Sequence, residues 1–303
     1  FWILVNKIEI RDLIIMKKYF KYTVFALVAA VLAGCATSAI TGRKYLKLVD
    51  SQTINDQASL AYKEFLSDAN TKVITGTAEA TAVKRVGNNI AAATMKYLQQ
   101  KGVADQYNFN WEFNLVQSSD VNAWCMPGGK VAVYTGILPL TGTDAGLATV
   151  MGHEIAHAIE EHSVAQISNQ MALQMGAQML GAASQMSNSQ WVSIFNQAYG
   201  IGAPVGMLSF SRKDELAADR AGLIIMAMAG YDPNAAITFW ERMAGAKADN
   251  GSTPPEFLST HPSDARRITE LQKYIPEAMK YYTGNTGSSS SPSTKNMKTI
   301  HIK

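Results

Sequence analysis

The sequence predicts an α+β fold, mainly helical, with a small β-sheet. Three observations carry this. Apolar residues recur at helical spacing through long segments, as in Val83, Val86, Ile90, Ala93, Met95 and Leu98, with Lys84, Arg85, Asn88 and Asn89 between them. Strand patterns are confined to two short stretches, residues 109–116 with alternating polarity and residues 130–138. His153-Glu154-Ile155-Ala156-His157 puts two imidazoles one turn apart on a single helix face.

In chain order, residues 1–34 read as upstream sequence plus an export signal. Met16-Lys17-Lys18 opens a basic stretch, an apolar run covers residues 22–32, and small residues lead to Cys35. Met16 is therefore the expected start of translation. The apolar run is short of the ~20 residues that span a bilayer. Leu32-Ala33-Gly34-Cys35 resembles a bacterial lipobox. Cleavage there leaves Cys35 lipidated and tethers the protein to a membrane from outside the cytoplasm. The expected location is the outer membrane, facing the periplasm. Ordinary signal-peptide cleavage, releasing a soluble protein, is the alternative.

Cysteine and charge usage agree with export. Cys125 is the only other cysteine, so a lipidated Cys35 leaves no intramolecular disulfide. Residues 1–34 hold five of the 27 Lys and Arg and two of the 24 Asp and Glu, which leaves 22 of each sign in the rest. With no basic excess there, nucleic-acid binding is excluded as an expectation.

Residues 35–50 are expected to be an extended tether and 51–282 one folded domain, large enough to bury its own core. Helices are expected near 51–70 and 79–101. The turn signal Pro127-Gly128-Gly129 separates the strand patterns. Asp144 is a candidate N-cap for the metal-motif helix, which continues without Pro or Gly through Gln166. Met171, Met175, Met179 and Met186 mark a core-facing or groove-lining helix within 171–206, with a mobile lid as the alternative. Residues 283–303, rich in Gly, Ser and Thr, form a solvated tail.

The chemistry lies in the metal motif. His153 and His157 can converge on one Zn²⁺, and Glu154 can reach a water beside it. Such a metal lowers the pKa of water and polarises a carbonyl, the chemistry of peptide hydrolysis. A third protein ligand is needed. The helical run from Ser211 to Gly222 places Glu215 and Asp219 one turn apart. One carboxylate can bind zinc while the other accepts the remaining N–H of a ligand histidine. The structural alternative is a solvated face, ion-paired to Arg212 or Arg220. His162 is expected on a different face, as a structural residue.

These residues carry a resemblance to the HtpX-like gluzincin metallopeptidases, which include the Ste-type CAAX prenyl proteases and many bacterial lipoproteins. The matching elements are Asn122 through Lys130, His153 through His157, Ser211-Arg212 with Glu215 and Ala218-Asp219, and His261-Pro262-Ser263-Asp264-Ala265-Arg266-Arg267. They cover roughly residues 50–275 in the family's order. The resemblance implies a zincin-like core in which an edge strand of the sheet lines the cleft beside the metal-motif helix, with Glu215 as third zinc ligand and Asp219 as its supporting carboxylate. It also implies a peptide added as a strand near Asn122, Ala123, Gly128 and Gly129. Ala217 stands where many members carry an acid.

His261 is expected in the cleft as a catalytic residue, either steadying an oxyanion or binding the metal in a resting form. Arg266 or Arg267 is expected to pair with a nearby carboxylate. The function expected is that of a zinc endopeptidase of the bacterial envelope, one Zn²⁺ per chain, acting on unfolded or misassembled proteins. The quality-control role comes from the resemblance alone. Two rivals stand beside it: a chaperone-like binding lipoprotein with a latent zinc site, and a zinc hydrolase of a non-protein substrate. Substrate identity, cleavage specificity and oligomeric state have no signature in the sequence.

Overall fold

A computed structural model describes residues 22, 34–181, 190–199, 210–249, 256–261 and 265–284. Met16 and most of the export signal, Met186, residues 262–264 and the tail beyond 284 lie outside these. β1 (Cys35–Thr37) and β2 (Lys44–Leu46) form an antiparallel hairpin. α1 (Ser51–Ser67), β3 (Val73–Ile74) and α2 (Ala78–Gln100) follow. β4 (Glu112–Val116), β5 (Ala123–Met126) and β6 (Lys130–Tyr134) complete a second sheet. The helices then run α3 (Asp144–Ile159), α4 (His162–Gly181), α5 (Gln190–Tyr199) and α6 (Arg212–Met228). α7 (Ala235–Asp249), α8 (Glu256–Thr260) and α9 (Ala265–Ala278) close the order. The fold is α+β and mainly helical, as expected.

The four-stranded sheet has the order β3-β4-β6-β5, with β4 and β6 parallel and the other pairs antiparallel. Alternation along each strand feeds two cores. Phe113, Leu115, Ala123, Cys125, Val131 and Val133 pack with α2, α3, α6 and α7. Val116, Trp124, Met126 and Ala132 face the other way, against α1, α4 and α5. The strand expected at residues 109–116 to be half-buried is therefore covered on both faces, and it pairs only from Glu112. Asn114 is tolerated inside because its Nδ2 donates to the Tyr62 hydroxyl, which donates to the Val131 carbonyl at 2.7 Å.

Three boundaries differ from expectation for local reasons. The strand expected over 130–138 ends at Tyr134, where a Cβ on Gly136 would lie 2.4 Å from the Ser119 and Asp120 carbonyls and the chain turns helical. The cap of α3 is Thr143, whose hydroxyl accepts from the Gly146 N–H, while Asp144 pairs with Arg85. The metal-motif helix stops at Ile159 instead of reaching Gln166, because Glu161 takes φ +51 and breaks it before α4 starts at His162.

Residues 35–46, expected as part of an extended tether, instead fold back as the β1–β2 hairpin and clamp this break. Thr41 donates its backbone N–H and its hydroxyl to the Glu160 carboxylate. Tyr45 and Ser51 hydroxyls and Lys47 donate to Glu161. Neither Cys35, which is exposed in β1, nor the buried Cys125 forms a disulfide. No helix among the described residues is long and apolar enough to cross a membrane.

Candidate metal centre

Two helices meet to build the site. α3 and α6 cross at Gly152 and Gly222, so closely that a Cβ on Gly222 would sit 3.0 Å from backbone atoms of Gly152 and His153. A Ser211–Asp214 capping box starts α6 and places Glu215 in its first turn, facing α3. His153 and His157 rise from α3 with their Nε2 atoms 3.1 Å apart. Glu215 lies 3.4 Å from His153 Nε2 and 3.5 Å from His157 Nε2. His261, at the end of α8, brings Nδ1 to 3.2 Å from His153 Nε2 and 2.9 Å from Glu215 Oε1.

His153, His157, Glu215 and His261 are all buried, with four donor atoms within 4.8 Å of one another. In tetrahedral zinc, bonds of about 2.0–2.1 Å place donor atoms about 3.3 Å apart. Five of the six separations, taking whichever Glu215 oxygen is nearer, are 2.9–3.5 Å and so lie near those edges, and this donor set fits zinc. Three nitrogens and one carboxylate oxygen are also donors zinc accepts.

A second layer fixes the rings. Asp219 Oδ1 is 2.9 Å from His153 Nδ1, which keeps the proton there and leaves Nε2 for a metal. Arg267 from α9 binds Asp219 and reaches Glu215 Oε2 at 3.0 Å, with its guanidinium 3.7 Å above the Trp240 ring. Burial alone would raise Glu215, yet His261 and His153 hold it well below the usual carboxylate range. Burial likewise opposes ionisation of Asp219, and Arg267 and His153 reverse that and lower it. Phe210 stacks on His157 with ring centroids 4.1 Å apart. His162 is not turned away: the break at Glu161 returns its ring to His157, Nδ1 to Nδ1 at 2.8 Å.

Glu154 stands beside the cluster. Burial pushes its carboxyl up to about 7, against the opposing pull of His261 and with Glu215 adding to the rise. It accepts from the Cys125 backbone N–H, while Oε1 makes no hydrogen bond among the described residues and lies 3.3 Å from His261 Nε2. A buried carboxylate with an unused oxygen at a metal site is equipped to take a proton.

The Cys125 contact also locates the sheet edge. Among the described residues β5 pairs only with β6, and Asn122 O accepts from Tyr134 N. By antiparallel alternation, the backbone groups of Ala123 and Cys125 point away from β6, toward the Glu154 side. Asn122 Oδ1 covers the Ala123 N–H, and the Val121 carbonyl takes the Phe257 N–H of α8. Gly128 and Gly129 make the turn beyond this edge, at φ +78 and +87, and their carbonyls accept from Asn110 and Glu112. Beyond that turn a cavity of about 230 Å³ opens beside His157, lined by Tyr107, Phe109, Pro127 and Glu161 among others.

With this geometry in hand, comparison with known proteins is decisive: peptidase family M48 matches residues 78–275, from the start of α2 into α9. The chain belongs to peptidase family M48. As an M48 member it is a zinc metalloendopeptidase. It is 33% identical to the mitochondrial metalloendopeptidase OMA1 of Schizosaccharomyces pombe, over 90% of this chain and 78% of that protein. Human mitochondrial metalloendopeptidase OMA1 is 30% identical over 80% of this chain and 46% of its own length. The β-barrel assembly-enhancing protease of Escherichia coli K12 is 29% identical over 54% of this chain and 34% of its own length. The M48 chain thus spans about half or less of the human and E. coli relatives.

Arg267, Phe210 and the Glu160–Glu161 clamp are site residues that the motif does not specify. For Arg267 a signal was present, two arginines opening a helix just after His261-Pro262. For the clamp none was present.

Proposed function

We propose that this protein hydrolyses peptide bonds of unfolded or misassembled proteins in the bacterial envelope, with His153, His157 and Glu215 as its zinc ligands. The observation that carries the reading is Glu154, a buried carboxylate with one oxygen making no hydrogen bond among the described residues, beside a donor set that fits zinc. Zinc, when bound, supplies Lewis acidity that activates water and polarises the scissile carbonyl. Glu154 takes the proton of the attacking water and delivers it to the leaving amine. Asp219, held by Arg267, fixes the His153 tautomer. The edge of β5 at Ala123 and Cys125 receives the peptide backbone as an added strand once Asn122 Oδ1 and Glu154 give up the N–H groups they hold there, with Asn122 and the Gly128-Gly129 turn bounding it. The cavity beside His157 accepts a side chain of that peptide.

His261, with Nδ1 3.2 Å from His153 Nε2 and 2.9 Å from Glu215 Oε1, would take the fourth corner of this donor set and is read as a resting ligand. Once withdrawn, its imidazole is placed to donate to the developing oxyanion. This fourth donor is the one observation favouring the rival reading, a latent zinc site in a chaperone-like protein.

The envelope address rests on the resemblance of Leu32 through Cys35 to a lipobox, which would put a lipidated N-terminus at the first residue of β1. The name of the E. coli relative supports it, while the OMA1 relatives are named as mitochondrial. Residues 1–34 are then removed, residues 51–282 form the peptidase domain, and 283–303 its tail.

The purified zinc-loaded protein is expected to cleave unfolded casein, and Glu154→Gln to slow this about 10²–10⁴-fold with zinc still bound. Equal cleavage by both zinc-loaded forms sinks the proposed mechanism. No cleavage by the wild type supports the latent-site rival. Mass spectrometry of Cys35 from membranes tests the anchor; an unmodified thiol there removes it.

A further inference from the structure

The HExxH motif has no role for a residue five positions past its second histidine, yet the fold goes to some length to bring one back. Among the described residues, Glu161 is the one non-glycine residue at positive φ, +51. Such a backbone is costly for a residue with a side chain and persists only where its surroundings impose it. Here Tyr45, Lys47 and Ser51 bind its carboxylate, and the neighbouring Glu160 is tied to Thr41. The result of the turn is that His162 opens α4 with its ring fully enclosed and its Nδ1 2.8 Å from His157 Nδ1.

Two imidazole nitrogens at that distance share one proton between them. His157 presents Nε2 to the donor cluster, so a metal there requires Nε2 to be bare and Nδ1 to carry the hydrogen. His162 Nδ1 must then be the acceptor, and its own proton sits on Nε2. That Nε2 is buried and makes no hydrogen bond among the described residues, with Asp214 Oδ1 at 3.7 Å and Arg43 closing the line at 3.1 Å from the same oxygen. Asp219 does the same for His153 from the other side. The two ligand histidines of one helix are thus oriented by different chemistry, one by a carboxylate and one by a neutral imidazole.

We propose that His162 is the positioning residue of His157, accepting its Nδ1–H and so presenting Nε2 to zinc, with the strained Glu161 turn and the β1–β2 hairpin holding it in place. This rests on His157 being a zinc ligand. The direct test is imidazole ¹⁵N NMR of the zinc-loaded wild-type protein. His157 is expected as the Nδ1–H tautomer and His162 as the Nε2–H tautomer; a proton on His162 Nδ1 overturns the proposal. Zinc affinity and the visible spectrum of the Co²⁺ form provide a second readout, both independent of turnover. His162→Leu is expected to weaken zinc about 10–100-fold and to change the Co²⁺ spectrum. His162→Asn, whose amide oxygen can accept the same hydrogen, is expected to restore both in large part. A folded His162→Leu with wild-type zinc affinity and spectrum overturns the proposal. His157→Ala separates the two layers: if it retains wild-type zinc affinity, the ligand reading fails and the proposal with it, whereas its loss beside an unaffected His162→Leu removes only the positioning role.

Discussion

Arg267 grips Asp219 with two parallel hydrogen bonds, Nε to Oδ2 at 2.8 Å and Nη2 to Oδ1 at 2.7 Å, with neither side chain more than 3% exposed. Through Asp219 it acts on His153, and through Nη1 it touches Glu215 directly. One cation therefore balances the two buried carboxylates of α6.

Arg267→Ala leaves Asp219 and Glu215 buried without that balance. Breaking a buried pair of this kind costs about 3–5 kcal/mol, so the variant is expected to unfold at clearly lower urea, and its zinc affinity is expected to fall. Arg267→Lys keeps the charge but loses the fork and the stacking on Trp240, and should fall between. Urea unfolding of the three zinc-free proteins checks the order; a wild-type midpoint for Arg267→Ala contradicts it.

Gly222→Ala tests the helix crossing. In an exposed helix the change gains up to about 1 kcal/mol. Here the added methyl meets the backbone of Gly152 and His153 at 3.0 Å, and a helix backbone cannot step aside as a side chain does. Overpacking of this sort costs about 1–3 kcal/mol. A lower melting temperature and weaker zinc binding are expected together, since the crossing sets the distance from Glu215 to both histidines.

His261→Ala removes the fourth donor. The three remaining ligands should hold zinc about tenfold less tightly, near 1.4 kcal/mol, and a chelator should extract it faster. An unchanged extraction rate would show that His261 stays outside the resting coordination.

Glu160 supplies a pH dependence away from the metal. Burial raises its carboxyl above the ordinary 4.5, against the hydrogen bonds from Ser38 and Thr41. A raised value means that the protonated form favours the folded state. That contribution is complete below the unfolded-chain value and declines as pH climbs through the folded one. Glu160→Gln cannot ionise, so its stability should fall less than that of the wild type as pH rises above 4.5. Parallel stability curves for the two proteins across that range contradict this.

Much of the site was legible in the sequence because its residues lie at fixed helical offsets. Four-residue spacing alone placed His153 over His157 and Glu215 one turn before Asp219, and the structure brings these together with His261. What escaped the reading depends on contacts distant along the chain. Nothing near Glu161 forecasts a left-handed backbone; Tyr45 and Ser51, more than a hundred residues earlier, impose it. For the same reason His162 read as pointing elsewhere, since continuous helix geometry was extended through a break. The half-buried look of residues 109–116 failed because α1 and α2 cover opposite faces of β4. The polar residue responsible, Asn114, is buried with a hydrogen-bond partner.

The glycine crossing has a consequence for which ions the centre admits. With backbone packed against backbone, α3 and α6 cannot draw further together, and burial around the four donors leaves little room for them to part. The spacing of the donors is thereby gauged by main chain, not by adjustable side-chain length. A site so gauged suits a small ion bound by four donors and resists calcium, which takes six to eight oxygens at about 2.3–2.6 Å. Discrimination between metals would then be written into two residues that carry no side chain at all.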